Sequence, residues 1–268
     1  MRCTIEEIIC ADLAHTIKDG EVGFTGLATG KAAALYITNI PVAAMRLAQL
    51  THAPNLTISL CGWTHNPDWK CLKSMPDAEF EQEILDLPSE AQMIGYPGLW
   101  SHRRGDISFG FSSGVQLDKE GNLNSVCVGD PAAPKVQLPG PILVTEHFAW
   151  FNREYVMMPH HEKRVFVDKV DYVAGVGYPG GIEGRKKLGL AGEGPKYIYT
   201  PKCVFSFNEE GKMYVRSIHP GVTKEELIES TGFDLGDISN VPTTPEPTDE
   251  ELDLIRNVID PDGILLRI

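Results

Sequence analysis

The first 60 residues alternate between helical and extended patterns, and this alternation restricts the possible folds more than any other feature of the sequence. Thr4 and Glu7 have the spacing of a capping box, and the apolar residues after them recur at helical intervals. A strand is predicted at 21–26, a second helix at about 41–50 and a second strand at 56–60. Alternating helices and strands favour a parallel or mixed sheet covered by helices, so we expect an α/β fold.

The rest of the chain extends this pattern. Residues from about 68 to 90 are acidic and irregular, which indicates an excursion between core elements. Extended patterns resume in the sequences ISFGFSSGVQLD, YVMMPH and RVFV…VDYVAGVG, and a hairpin with its turn at Glu210 and Gly211 is predicted in KYIYTPKCVFSFNEEGKMYVRSIHP. A helix from Thr223, a proline-rich linker at about 241–248 and a last helix complete one predicted domain over residues 1–268.

Composition restricts the function classes. With 268 residues, of which 42% are apolar and 23% charged, the chain is long enough for a full core. Its net charge of -13 argues against nucleic acid as the main partner, because phosphate binding requires a clustered positive field. Glu6, Glu7 and Asp12 interrupt the apolar N-terminal stretch, which therefore fits neither a signal peptide nor a membrane span. We expect a cytoplasmic protein without a membrane partner, and we expect its six scattered cysteines to be free thiols.

Two motifs that suggest ligand binding depart from the usual definitions. The sequence GLATGKA, from Gly26 to Ala32, has three residues between its glycines where a Walker motif has four, and Ala32 replaces the hydroxyl that binds magnesium. It remains either a turn whose N–H groups can bind an anion or oxyanion, or a plain tight turn. In the sequence HHEKR, adjacent histidines on an extended segment point to opposite faces, so we expect no metal site there.

Cys61 is the first candidate for a catalytic residue. It directly follows the predicted strand at 56–60 and precedes Gly62. In α/β sheets, ligand-binding and catalytic sites lie at the carboxyl ends of the strands. Trp63, His65 and Asp68 follow in a predicted loop and can form a pocket, with His65 as a candidate base. The alternative is that Cys61 is an inert core residue, as most buried cysteines are.

The sequence also resembles a known family. The run VMMPHHEKRVFVDKVDYVAGVGYPGG and the residues after it strongly resemble the β subunit of glutaconate CoA-transferase, a family I CoA-transferase. The resemblance extends to GVQLDKEGNLNSVCVGD, THAPNL and LDLIRNVIDPDG, and so covers nearly the whole chain. It implies a CoA-transferase fold, related to ribose-phosphate-isomerase-like sheets, and an assembly with a separate α-type subunit in a heterotetramer or larger complex. It also implies an acyl-CoA substrate, with coenzyme A as part of that substrate and no further cofactor.

One departure from the family changes the expected chemistry. In the transferases that the chain resembles, the strand after the Ala-Pro pair ends in a glutamate that attacks the acyl-CoA carbonyl and then carries CoA as a glutamyl thioester. Counting from Ala53 and Pro54, Cys61 takes the place of this glutamate. A cysteine would form an acyl thioester and could not carry CoA onward, which argues against ping-pong transfer. Ser113 also replaces the first glycine of the Gly-Gly-Ala that the family has before Gln116.

Two branches of the family without transfer chemistry resemble the chain. A decarboxylating branch has a cysteine at the corresponding position, and a steroid-degrading branch that opens a ring by hydrolysis resembles it at HPGVT and PTDEELDLIRNVIDP. We expect a β-type subunit that assists C–C cleavage of an acyl-CoA carrying a carboxylate or ketone. The alternatives are genuine CoA transfer, with a glutamate supplied from elsewhere, and a non-catalytic scaffold that completes the α subunit's site.

The candidate residues follow from these arguments. Cys61 and His65 are the catalytic candidates. The candidates for substrate and oxyanion binding are Gly26, Gly62, Trp63, Ser113, Gly114 and Gln116. In the glycine- and proline-rich loop predicted at 177–195, Arg185, Lys186 and Lys187 either meet a CoA phosphate or the α subunit, or are solvated.

Overall fold

The computed structural model describes residues 2–28, 30–76, 78, 81–92 and 106–266. The chain forms two compact units: unit 1 comprises Met1–Phe111 and Pro245–Ile268, and unit 2 comprises Ser112–Thr244. The single domain expected over residues 1–268 stays a prediction. Part of the expected excursion, residues 77, 79 and 80, lies outside the described residues.

Helices and strands follow each other along the chain. The α-helices of the described residues are α1 (Ile5–Ala14), α2 (Lys31–Ala34), α3 (Ile40–Thr51), α4 (Gln82–Leu85), α5 (Val144–Trp150), α6 (Gly181–Lys187), α7 (Lys224–Ser230) and α8 (Asp249–Asp253). Shorter helical segments are π-helical at Leu35–Asn39 and Leu254–Ile259 and 3-10 at Trp69–Cys71. The strands are β1 (Val22–Thr25), β2 (Thr57–Leu60), β3 (Thr64–Pro67), β4 (Ser89–Gln92), β5 (Phe109–Ser112), β6 (Gln116–Leu117), β7 (Leu123–Asn124), β8 (Cys127–Val128), β9 (Val136–Gln137), β10 (Arg153–Met157), β11 (Pro195–Tyr199), β12 (Cys203–Phe207) and β13 (Met213–Ile218).

Unit 1 contains a mixed sheet. Strand β1 is parallel to β2 on one side and to β5 on the other, with Gly23 opposite Ile58 and Phe109. Strands β2, β3 and β4 continue the sheet in antiparallel order. Gly23 is required for close packing, because a Cβ there would lie 2.4 Å from the Phe109 ring and 2.6 Å from Met45 Sδ. The predicted α/β fold with a mixed sheet is confirmed.

Helix α1 begins at the predicted capping box and packs against α3. Glu7 N donates to Thr4 Oγ1 at 3.2 Å, and Thr4 N donates to Glu7 Oε2 at 2.8 Å. The same carboxylate accepts hydrogen bonds from Arg256 Nε at 2.6 Å and Nη2 at 2.8 Å. One buried glutamate therefore caps α1 and also joins it to the π-helical segment near the C-terminus.

Unit 2 contains a second group of paired strands. Strand β10 is parallel to β11, and β11, β12 and β13 follow in antiparallel order. The turn predicted at Glu210 and Gly211 joins β12 to β13, where Asn208 N donates to Lys212 O at 3.0 Å. The predicted hairpin is thus confirmed at this turn, but its segment forms three strands rather than two. The core of this unit consists of apolar side chains from the strands, from α5 and α7 and from the segments between them, among them Phe148, Val156, Phe166, Ile198, Phe205 and Leu227.

Three expectations about local structure are wrong. Residues 64–67, expected to be loop, form β3, because they pair with β2 and β4 despite their polar side chains. The segment RVFV…VDYVAGVG forms only the isolated bridges Leu117↔Phe166 and Leu123↔Gly175 instead of strands. The loop expected at 177–195 contains helix α6.

Two further properties bear on the function classes. All six cysteines are thiols rather than disulfides, as expected, and only Cys71 is exposed. Among the described residues, no helix is long and apolar enough to cross a lipid bilayer.

Candidate active site

Cys61 lies in the tight turn that joins β2 to β3. Its N–H donates to the carbonyl of Thr25 at 2.8 Å, which continues the parallel ladder between β1 and β2 by one residue. Trp63 N donates to Leu60 O at 3.3 Å and closes the turn. Main-chain hydrogen bonds therefore hold Cys61 at the carboxyl end of an inner strand, as its sequence position predicts.

The backbone at Cys61 is unusual for a residue with a side chain. Its φ is +56°, and Gly62 after it has a φ of +78°, so two consecutive residues occupy the left-handed region. Glycine adopts this region freely, but a residue with a Cβ costs about 1–2 kcal/mol there. Cys61 as a whole is 5% exposed. Backbone strain at a buried, potentially nucleophilic side chain is an observation that favours a functional site over an inert core position.

Gly26 lies at the same end of the sheet of unit 1. It follows β1 directly, and its carbonyl accepts a hydrogen bond from Thr38 Oγ1 at 2.9 Å. Thr25 Oγ1 donates to the carbonyl of Ile37 in the π-helical segment, so side chains on both sides fix the start of the Gly-rich turn. Thr29 within that turn lies outside the described residues. Gly26 and Cys61, which directly follow the neighbouring strands β1 and β2, therefore lie beside each other.

His65 lies in β3, opposite Ser59 of β2, one residue pair beyond the turn. Burial lowers the pKa of His65, so the ring is neutral at pH 7 and can accept a proton. Trp63 is half-buried in the turn itself. Gly26, Cys61, Gly62, Trp63 and His65 are therefore grouped at one end of unit 1.

Ser113 and Gly114 belong to unit 2 and follow the end of β5. Gly114 fits closely against the neighbouring backbone, because a Cβ there would lie 2.4 Å from the carbonyl oxygen of Asn124. Val115 N donates to the same oxygen at 2.8 Å. Ser113 and Gly114 are half-buried, so their main chain is partly accessible.

The side chain of Gln116 is buried and makes internal hydrogen bonds. Its Oε1 accepts from Asn124 Nδ2 at 2.7 Å and from Asp171 N at 2.9 Å, and its Nε2 donates to Asp171 Oδ2 at 2.9 Å. These bonds join three segments of unit 2. A substrate contact from Gln116 stays a prediction, and the structure gives this side chain an internal structural role.

The HHEKR and Arg185 motifs have structural roles in unit 2. His161 is buried between Thr200 and Thr231, at 2.9 and 3.0 Å from their hydroxyl oxygens. Arg185, 4% exposed, donates hydrogen bonds to four main-chain carbonyls, those of Phe148, Val176, Gly177 and Gly192. The guanidinium of Arg185 is therefore not a surface group for a CoA phosphate.

No group of three or more potential metal-ligating side chains occurs among the described residues.

One cluster was not anticipated from the sequence. Ser112, His147 and Glu154 are buried together in unit 2, and Ser112 Oγ donates to Glu154 Oε1. The signal in the sequence was the single carboxylate at the start of the otherwise apolar run EYVMM. This pattern places an acid in a buried strand, where it needs a hydrogen-bond partner.

Known proteins are similar to this chain in sequence over nearly its full length. No protein-family model matches the chain. The B subunit of 3-oxoadipate CoA-transferase from Pseudomonas knackmussii is 31% identical over 252 residues, which cover 93% of this chain and 91% of that protein. The chain belongs to the family of CoA-transferase B subunits. A second member of this family, the B subunit of glutaconate CoA-transferase from Acidaminococcus fermentans, is 29% identical over 268 residues, 99% of this chain and 96% of that protein. The resemblance found in the sequence is thereby confirmed.

Solved structures of CoA-transferase relatives share the fold. Glutaconate coenzyme A-transferase from Acidaminococcus fermentans superposes with a TM-score of 0.78 at 26% identity, covering 99% of this chain and 98% of that one. IpdAB of Rhodococcus jostii gives 0.76 at 27% identity, covering 100% and 98%. The decarboxylase AibA/AibB gives 0.76 at 23% identity, covering 99% of both chains, and this likeness shows the fold alone. The IpdB subunit of the cholesterol ring-cleaving hydrolase from Mycobacterium tuberculosis is 27% identical over 253 residues, 85% of this chain and 87% of that one. Proteins similar to this chain in sequence or fold therefore include some that are named for reactions other than transfer.

Proposed function

We propose that this CoA-transferase B-type subunit forms a heteromeric enzyme with an α-type subunit and assists C–C bond cleavage in an acyl-CoA. The substrate carries a second carboxylate or a ketone, and the reaction is decarboxylation or ring-opening hydrolysis. The relatives named as B subunits, and the paired names AibA/AibB and IpdAB, support a partner subunit. A heterotetramer or larger assembly is the expected form.

The observation that carries this proposal is the residue at position 61. The turn between β2 and β3 reads Leu60-Cys61-Gly62-Trp63-Thr64 and contains no carboxyl group. A carboxylate at this position could form an anhydride that a second carboxylate reopens, whereas a thiol can form only another thioester. The position that delivers the nucleophile in transferases of the resembled type is therefore poorly suited to CoA transfer in this chain.

Decarboxylation of a glutaconyl-type thioester fits the remaining groups. The bond between the carboxylate and its carbon breaks, carbon dioxide leaves, and the electron pair is delocalised into a dienolate whose charge lies on the thioester oxygen. N–H donors stabilise that charge, and the main chain near Gly26 and, separately, the main chain near Gly114 are the candidate donors. Desolvation of the departing carboxylate would assist the step. A proton then returns to carbon, and Cys61 or the neutral His65 can relay it.

CoA transfer is the second candidate, because two relatives of about 30% identity are named as CoA-transferases. It requires a glutamate from elsewhere, such as the α-type subunit. A scaffold that only completes the partner's site is the third candidate. It predicts that Cys61→Ala and His65→Ala leave turnover intact.

The test is a product analysis of the assembled enzyme. The chain is co-expressed with the α-type subunit and incubated with glutaconyl-CoA and methylglutaconyl-CoA, with and without acetate, and products are followed by mass spectrometry. Release of carbon dioxide without acetate supports decarboxylation. Acetyl-CoA that forms only with acetate shows that transfer does not need a carboxylate at position 61. In the Cys61→Glu variant, we expect acetate-dependent acetyl-CoA to appear, because the variant restores the carboxyl group that the transfer chemistry uses.

A further inference from the structure

A fully buried carboxyl group lies next to the Ser113–Gly114 segment in unit 2. Glu154, in β10, is 0% exposed, and Ser112, the last residue of β5, donates its hydroxyl to Glu154 Oε1. His147, in α5, has its Nδ1 at 3.4 Å from Glu154 Oε1 and at 3.4 Å from Ser112 Oγ. Three polar side chains from three separate elements therefore meet in one buried cluster.

Other contacts fix the members of this cluster. The His147 ring stacks on Phe151 with the ring centroids 4.3 Å apart, and Glu154 N donates to Gly194 O at 2.9 Å. Burial of polar groups costs free energy unless they are hydrogen-bonded, so the hydrogen bond from the Ser112 hydroxyl to the carboxyl group stabilises the cluster. The side chain of Ser112 is consequently held in one position.

This arrangement determines the path of the next residues. Ser112 is bound on one side of the Ser113–Gly114 segment, and Val115 N donates to Asn124 O at 2.8 Å on the other side. Only two half-buried residues lie between these two bound positions. Little freedom remains for the main chain of Ser113 and Gly114, because both ends of a very short segment are fixed.

We propose that Glu154 is a positioning residue, which holds Ser112 and thereby orients the main-chain N–H groups of Ser113 and Gly114 for a developing oxyanion. The inference rests on the proposed function, in which Gly114 is a candidate donor to the thioester oxygen. Glu154 itself touches no substrate in this assignment. A prearranged donor lowers the barrier to the chemical step more than it strengthens substrate binding, so its loss reduces kcat with little change in KM.

The experiment uses the complex with the α-type subunit and three variants of this chain. Ser112→Ala removes the hydroxyl, and Glu154→Gln keeps the size of the side chain while weakening the bond. Ser206→Ala is the matched control, because Ser206 is a buried serine of β12 whose hydroxyl donates to Lys196 O at 3.1 Å, in a different part of unit 2. Hydrogen exchange is measured on peptides that cover Ser113 to Val115. Steady-state kinetics are measured with whichever of the two thioesters, glutaconyl-CoA or methylglutaconyl-CoA, the wild-type complex converts.

For Ser112→Ala we expect exchange in this segment to accelerate about ten-fold and kcat to fall about ten-fold at an unchanged KM, which is the scale of one lost buried hydrogen bond. Glu154→Gln should give the same pattern to a smaller extent, and it replaces Ser112→Ala as the test if that variant does not fold. Ser206→Ala should change neither quantity.

Unchanged exchange at 113–115, or an equal change in Ser206→Ala, overturns the positioning role. Faster exchange with an unchanged kcat overturns its connection to catalysis. If the wild-type complex converts none of the thioesters, the proposed function fails, and the exchange measurement still decides whether Glu154 holds the segment.

Discussion

Replacement of His161 should reduce the stability that this protein loses between about pH 8 and pH 5 by about 2 kcal/mol. His161 lies between two threonine hydroxyls and stacks on Phe166 with the ring centroids 4.1 Å apart. Burial, with smaller contributions from nearby Lys202 and His219, lowers the pKa of His161 to about 3. The ring is therefore neutral in the folded protein at ordinary pH.

The sign and size of the effect follow from linkage. In the unfolded chain the ring has its usual pKa of about 6.5, so below that value the unfolded state binds a proton that the folded state does not. Stability is therefore lost as the pH falls from about 7 toward about 3, the folded-state pKa. Near pH 5 the unfolded form of this one residue is stabilised by about 2 kcal/mol.

His161→Phe keeps the ring stack and removes the titrating group. Both threonines keep a carbonyl acceptor within reach, because Thr200 Oγ1 lies 3.0 Å from Cys203 O and Thr231 Oγ1 lies 2.7 Å from Leu227 O. We expect the variant to lose about 1–2 kcal/mol near pH 8 from the missing hydrogen bonds. We also expect the loss between about pH 8 and pH 5 to be about 2 kcal/mol smaller than in the wild type.

The assay is urea unfolding at the two pH values, with His160→Gln as the control, because His160 is the exposed neighbour. The control should keep the pH dependence of the wild type. If His161→Phe and the wild type lose the same stability between the two pH values, the reasoning about a buried neutral histidine is refuted.

Three other substitutions test local physical arguments. Arg185→Met should lower the free energy of unfolding in urea by about 3–5 kcal/mol, because it removes a buried cation bonded to four carbonyls. Lys186→Met, at the exposed neighbour, should lower it by less than about 1 kcal/mol. Equal losses in the two variants would contradict this account. Gly23→Ala should destabilise by about 1–3 kcal/mol, because its Cβ would overlap the Phe109 ring, and an unchanged melting temperature would refute the overlap. Cys61→Gly should be about 1 kcal/mol more stable than Cys61→Ala in the same assay, since only glycine adopts a φ of +56° without strain. This order is the reverse of the one usually found for these two residues.

Local signals in the sequence predicted the elements that local interactions specify. The predicted caps at Thr4 and Thr223 begin helices at the expected residues, because a cap depends only on residues three positions apart. Strand β3 was missed because Thr64–Pro67 has no apolar alternation, and its pairing partners in β2 and β4 specify it as a strand. Helix α6 was missed for a similar reason, since the buried contacts of Arg185 lie in distant segments.

The candidate site shows the same division. The position of Cys61 at the carboxyl end of β2 was predictable from the strand pattern, and its choice as a candidate site residue followed from the resemblance. The positive φ at Cys61 was not, since it depends on the pairing of β2 with β3. Glu154 was not singled out, because its partners Ser112 and His147 come from separate elements that the fold alone brings together.

The turn at Cys61 also suggests how such enzymes change reaction during evolution. The bonds from Cys61 N to Thr25 O and from Trp63 N to Leu60 O use main-chain atoms alone. Any unbranched side chain at position 61 is therefore carried to the same place with about the same strain, whether it ends in a carboxyl group or a thiol. A single substitution there exchanges the end group of the side chain while the hydrogen bonds of the turn persist. Under the proposed function, reversible exchange between acids and irreversible loss of a carbon atom are one substitution apart on an unchanged backbone.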